Sequence, residues 1–176
     1  MPSWADRPVR TASLAFFDLE TTGLRPDRGG RICEMAVVDR NGVRLDWTST
    51  EDPPPDQALR RHLPPLIERL QAGVVVGHNL PFDVHFLTYE AERLGHAGID
   101  IRFADTLGLA RRLLPGRDDY RLGSLVADLD AVPDEKLHTA VGDALATRTL
   151  FWALIEEGGL ETLADVGVKR LSWNAR

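Results

Sequence analysis

Two short stretches constrain this chain most: "SLAFFDLE" at 13–20 and "VVVGHN" at 74–79. Each holds an apolar run too short for a helix and bounded by turn chemistry, so each reads as a buried strand. A strand that is apolar on both faces needs cover on both faces. The remaining segments supply it. "RICEMAVVDR" and "VRLDWTST" flank "NG" and predict a hairpin. "QALRRHLPPLIERLQAG" carries Leu59, Leu63, Leu66, Ile67 and Leu70 at helical spacing, with Pro64-Pro65 expected to kink or split the helix. "PFDVHFLTYEAERLGHAG" predicts a helix opened by Pro81, and "IDIRFAD" alternates like a strand. "TLGLARRLLPG", "RLGSLVADLD" and "TAVGDALATRTLFWALIEEGG" read as helices, the last closed by Gly158-Gly159; "LETLADVG" adds a turn or two. This order implies an α/β layer fold with a mixed sheet and helices on its faces. Residues 13–167 are expected to form the domain, with 1–12 and 168–176 as loose tails.

The length, 176 residues, suits one sizeable domain. A composition of 43% hydrophobic and 27% charged residues is that of a globular protein, and the apolar runs are too short to cross a bilayer. "MPSWADRPVRTAS" lacks the apolar stretch of a signal peptide. The single cysteine, Cys33, excludes an intrachain disulfide and points to a cytoplasmic setting; its place in an apolar run predicts buried packing. The net charge of −6 argues only weakly against a nucleic-acid partner. A cluster of acids binding metal would make any nucleic-acid enzyme look acidic, and nearly all the cations are arginine, the better phosphate fork.

Asp18 and Glu20 end the first apolar strand, two residues apart and so on one side of it. Unpaired carboxylates buried there are costly. Either both reach water or something positive sits between them. Asp83 follows "VVVGHN" in the first turn of the next helix, and Asp143 lies one turn into the long C-terminal helix, with His138 just before it. Sites in such sheets lie beyond the carboxyl ends of adjacent strands. Four carboxylates converging there would repel one another strongly. Hard divalent cations relieve that repulsion, and oxygen-only ligands favour Mg²⁺ or Mn²⁺ over Zn²⁺.

"FDLETTGL", "HNLPFDVHFL", "DTLGLARRLLPG", "YRLGSL" and "HTAVGDALAT" stand in the order and approximate spacing of the DEDD-type 3′–5′ exonucleases. The chain most resembles their His-containing (DEDDh) subgroup, which includes the epsilon proofreading subunit of DNA polymerase III and ribonuclease T. The resemblance runs from about residue 13 to 153. It implies a ribonuclease H-like mixed five-stranded sheet flanked by helices. It implies Asp18, Glu20, Asp83 and Asp143 as ligands to two Mg²⁺ or Mn²⁺ ions and His138 as general base. The backbone at Thr21 and Thr22 would bind the terminal nucleotide, Leu24 would pack on its base, and Asn79 and Phe82 would shape the pocket at the 3′ end. Gly23 would supply a left-handed turn or let the backbone approach the nucleotide. The implied reaction is hydrolysis of the terminal phosphodiester of single-stranded or frayed DNA, or of RNA or oligonucleotides, releasing nucleoside 5′-monophosphates. Two ions about 3.5–4 Å apart suit that chemistry, and histidine takes a proton near neutral pH.

The alternative is a nucleic-acid-binding module that keeps the fold without turnover. All five chemical positions hold competent residues, which favours the enzyme. Glu34, inside an apolar strand, reads as a hydrogen-bonding support, His78 as structural, and Tyr120 and Trp152 as packing residues. Arg25, Arg28 and Arg31 follow the first acidic motif and read either as phosphate contacts or as solvated loop charges. The segment "STEDPPPDQALRRHLPP" is shorter than the family's and lacks its "H-G-I". No extension resembling a polymerase-binding segment is evident, so a free-standing nuclease is expected.

Overall fold

The computed structural model describes residues 3–96, 98–129 and 136–174. Its strands are β1 (Leu14–Thr21), β2 (Ile32–Asp39), β3 (Arg44–Thr48), β4 (Val74–Gly77), β5 (Gly98–Asp105) and β6 (Lys169–Asn174). Its helices are α1 (Asp56–Gln71), α2 (Leu80–Arg93), α3 (Thr106–Leu113), α4 (Leu122–Asp128), α5 (Ala140–Glu157) and α6 (Leu163–Val166). The strands form one mixed sheet in the order β3-β2-β1-β4-β5-β6, with β1, β4 and β5 parallel and the hairpin and β6 antiparallel to their neighbours.

The alternation of β1 builds two cores. Ala15, Phe17 and Leu19 face α1 and α2 with Met35, Val37, Leu63 and Phe86, whereas Leu14 and Phe16 face α5 with Leu150 and Phe151. Phe16 meets Phe151 edge to face at 5.7 Å and both it and Phe17 are fully buried. Burying each such side chain contributes about 1.5–3 kcal/mol, and truncating one to Ala costs about 3–5 kcal/mol. The two apolar strands are therefore covered on both faces, as their composition demands.

Several expectations are corrected. The sheet has six strands rather than five, because 169–174 pairs along β5 instead of forming a tail. In that segment Leu171 and Trp173 alternate with Arg170 and Ser172 and pack on the first core, a period-two pattern too short to stand out in the sequence. The N-terminal segment is also tied down. Val9 is fully buried, its N–H donates to Glu161 O, and Leu163 N–H donates to Arg7 O. The helix α1 runs unbroken through Pro64 and Pro65. Both prolines and the preceding Arg60 and Arg61 are exposed, so the carbonyls left without an amide donor face solvent. Cys33 is half-buried rather than a core residue. Register jumps from Glu20↔Glu34 to Thr21↔Ile32, which leaves Cys33 as the extra residue of a bulge and turns Ile32 into the core. Among the described residues no helix is long and apolar enough to cross a membrane.

Candidate active site

Asp18 and Glu20 continue the row begun by Leu14 and Phe16, so they project toward α5 just past the apolar part of β1. On α5, Ala140, Asp143, Ala144 and Thr147 share one helical face, and Ala140 and Ala144 pack on Ala36 and Val38 of β2. These small side chains let the helix lie close, which carries Asp143 over the end of β1. One carboxylate oxygen from each of Asp18, Glu20 and Asp143 lies within 4.8 Å of the other two.

Asp83 reaches the same place by a different route. Pairing of β1 with β4 ends at Phe16↔Val76. Beyond that point the start of α2 takes the place of the neighbouring strand, and Asp83 Oδ1 accepts the Leu19 N–H at 3.0 Å. Asp83 is buried and stands beside the converging trio rather than within it.

The electrostatics match this crowding. Burial, then the charges of Asp83, Asp143, Glu20 and Glu34, push Asp18 well above the usual carboxylate range. Burial raises Glu20 and Asp143 as well. Burial also pushes Asp83 up to about 8, against the Leu19 amide that favours its ionised form. Asp18 Oδ2 is buried and has no hydrogen-bond partner. A buried polar atom of this kind needs a partner. A divalent cation supplies one and relieves the repulsion, and the all-oxygen donor set fits Mg²⁺ or Mn²⁺.

His138 lies just before α5 with φ +63°, in the left-handed region. Its N–H donates to Asp143 Oδ1 at 3.0 Å, and its exposed ring is close enough to lower the pKa of both Glu20 and Asp143. Thr139 fastens this loop: its hydroxyl donates to Lys136 O at 2.7 Å and accepts from Gly142 N–H at 3.1 Å. Gly142 is what allows the seat. A Cβ there would lie 2.7 Å from the Lys136 carbonyl carbon, nearer still to its oxygen, and 2.9 Å from Thr139 Oγ1. Glu34 Oε2 accepts the Ala140 N–H at 3.1 Å and so ties the start of α5 to β2.

The β1–β2 loop stands at one side of the trio. Thr21 Oγ1 donates to Gly23 O, and Thr22 pairs with Arg31 through Thr22 N to Arg31 O at 2.9 Å and Arg31 N to Thr22 Oγ1 at 3.0 Å. Leu24 is 83% exposed, the most exposed large apolar residue described. Gly23 does not adopt the left-handed conformation expected of it; Gly29 does, at φ +93°. A Cβ on Gly23 would make only an ordinary 3.6 Å contact, so of the two expectations close approach to a ligand is the one left open.

Opposite, Asn79 begins α2 with φ +60°, and Phe82 packs on Phe86 with ring centres 5.1 Å apart. Asn79 is held by a residue the sequence reading missed. Asp105 caps α3 and accepts the Asn79 and Leu80 amides at 2.8 and 3.3 Å. The signal was present: an acid followed by "TLG" at a strand-to-helix junction is an N-cap. His78 is engaged at both nitrogens, with Thr106 Oγ1 and Tyr120 O each at 2.9 Å. The Tyr120 hydroxyl donates to Leu114 O at 2.6 Å. Arg25 pairs with Asp27, and Arg31 pairs with Glu90 and Asp56, so two of the three loop arginines are committed within the protein.

A mixed sheet that gathers carboxylates from three separate segments at the carboxyl end of its first strand defines an α/β protein built around an acidic cage whose oxygens could hold a divalent cation. The sequence profile of an exonuclease family, RNase_T, matches residues 49–151, and the chain belongs to that family. It is 34% identical over 186 residues to a PolC-type DNA polymerase III from Lacticaseibacillus paracasei, an alignment covering 90% of this chain and 13% of that protein. It is 28% identical over 161 residues to the 3′-5′ exonuclease DinG of Bacillus subtilis, covering 80% of this chain and 17% of DinG. The chain thus spans a small fraction of these curated relatives. Among solved structures, Exonuclease X in complex with 5′ overhanging duplex DNA superposes with a TM-score of 0.63 at 23% identity, covering 87% of this chain and 96% of that one. This likeness establishes the ribonuclease H-like fold.

Proposed function

We propose that the protein is a divalent-metal-dependent 3′–5′ exonuclease that removes nucleoside 5′-monophosphates from single-stranded or frayed ends, DNA being the first candidate. The observation that carries this reading is the buried, unpartnered Asp18 Oδ2 among Glu20, Asp143 and Asp83. Family membership and the DNA complex of Exonuclease X support it.

Asp18, Glu20 and Asp143 would hold magnesium or manganese, with Asp83 completing a site for a pair of ions. When bound, the ions neutralise charge on the scissile phosphate and stabilise the departing oxygen. The residues of the chain do the rest. His138, on the exposed side of Glu20 and Asp143, accepts the proton of the attacking water as general base. The loop at Thr21–Leu24 binds the terminal nucleotide with its backbone, and Leu24 packs against the base. Asn79 and Phe82 bound the pocket for the 3′ end. Protonated carboxylates bind cations poorly, so loading the site releases protons, which the raised Asp18 and Asp83 make measurable.

The test is a product ladder from matched DNA and RNA strands, blocked at either terminus, in Mg²⁺ or Mn²⁺ and in chelator. Stepwise shortening from a free 3′ end, lost on chelation and in Asp18→Ala, is expected. Cleavage of a circular single strand would instead mark an endonuclease. Undiminished hydrolysis by Asp18→Ala would overturn the reading.

A further inference from the structure

The helix α2 grips the chain on either side of the β1–β2 turn, at the end of β1 and just before β2. Asp83 holds Leu19 at the acidic cage. Two turns further along the same buried face, Glu90 is completely buried and holds Arg31, with Glu90 Oε1 2.6 Å from Arg31 Nε. The other Glu90 oxygen takes the fork of Arg93, Nε at 2.9 Å and Nη2 at 2.7 Å. Asp56, at the start of α1, joins both arginines: Arg31 Nη2 and Arg93 Nη1 each lie 2.7 Å from it. Two acids and two arginines from three elements therefore close one network around a carboxylate with no solvent exposure.

A buried carboxylate is tolerable only when its lone pairs are filled; Arg93 fills Glu90 Oε2 and Arg31 fills Oε1. Arg31 also engages the loop through its backbone. Its N–H and C=O are the groups that pair with Thr22 and close the base of the loop bearing Gly23 and Leu24. Beside it Gly30 is wedged so tightly that a Cβ would meet Arg25 O at 2.8 Å and Phe86 Cε1 at 3.2 Å. The guanidinium is thus fixed to α2 while the main chain of the same residue fixes Thr22.

We infer that Arg31, clamped by Glu90 and Asp56, is a positioning residue that sets the height and angle of the Thr22–Leu24 loop, and with it the seating of a terminal nucleotide. This rests on the exonuclease reading of the site. The clamp contributes no group to the metal cage and touches no reacting atom; its effect falls on nucleotide affinity.

The experiment compares the full chain with Arg31→Met and Arg31→Lys. Affinity for 5′-fluorescein hexathymidylate is read by anisotropy in Ca²⁺, and KM and kcat are read in Mg²⁺. Arg31→Met should weaken Kd and raise KM about tenfold, leave kcat within about threefold, and leave Mn²⁺ affinity in the absence of DNA unchanged. It leaves Glu90 Oε1 without a partner and should lower the melting temperature, so affinity is read well below that temperature, and Arg31→Lys, which can still reach Oε1, is the control for folding. Arg31→Lys, which keeps the charge but not the two-pronged reach, should fall between. In a double-mutant cycle with Leu24→Ala the two losses of affinity should be less than additive, since both act through one loop. Unchanged Kd in Arg31→Met, or losses that simply add to that of Leu24→Ala, would overturn the inference. A parent that releases no mononucleotide but binds the oligonucleotide would instead defeat the exonuclease reading, leaving the clamp to be judged by Kd.

Discussion

Gly142 occupies the third position of α5, where alanine is intrinsically better by about 1 kcal/mol. Gly142→Ala should nevertheless slow the proposed hydrolysis. The added methyl would lie 2.7 Å from the Lys136 carbonyl carbon and 2.9 Å from Thr139 Oγ1. Carbon contacts settle at about 3.5–4.0 Å, so the 136–139 loop must retreat by roughly 1 Å. The retreat stretches Thr139 Oγ1 to Lys136 O and His138 N to Asp143 Oδ1, now 2.7 and 3.0 Å. Misplacement of about 1 Å costs on the order of 10²-fold in rate. Single-turnover hydrolysis of a 5′-labelled oligonucleotide in saturating Mg²⁺ should therefore slow about 100-fold, while thermal melting stays within a few degrees of the parent. The double variant with His138→Ala should be no slower than His138→Ala alone, because both changes remove one function. A Gly142→Ala enzyme within twofold of the parent rate would refute the argument that this close seat places His138.

Asp18→Asn should abolish Mn²⁺ uptake by calorimetry and lower activity at least 10³-fold, yet raise the melting temperature in chelator, since it removes a buried charge and its repulsions. In chelator, stability should fall as pH rises from about 4 to about 8 and then level off. Asp83 keeps its proton in the folded state up to about 8 but loses it near 4 when unfolded, so the native state binds the extra proton across that window. Melting curves with saturating Mg²⁺ should lose this slope. Leu24→Ala should raise KM several-fold without lowering the melting temperature, because an 83% exposed side chain contributes little to folding.

The positions of the strands and helices were legible because their periodicities are strong: the continuous apolar runs at Leu14–Phe17 and Val74–Val76 could only be interior strands. The acids that converge were legible as well, since Asp18 and Glu20 extend an apolar row where apolar residues would pack better. What escaped were features set by tertiary partners. β6 is a strand only because β5 offers it an edge. The bulge at Cys33 is a register event between two strands and leaves no mark in either alone. The arginines after the first motif read as a cationic loop because Glu90 and Asp56, which claim Arg31, lie 59 and 25 residues away. The difference between Asp83 and the three converging acids depends on where β1 and β4 stop pairing, a distance that spacing does not encode.

That parting of β1 from β4 after Phe16 and Val76 has a corollary. Asp83 stands where a strand neighbour would otherwise pair, and its helix is seated by Val84 and Leu87 in the core. Exchanging one of those buried aliphatics for another of different bulk would move Asp83 against the Leu19 amide with every carboxylate left in place.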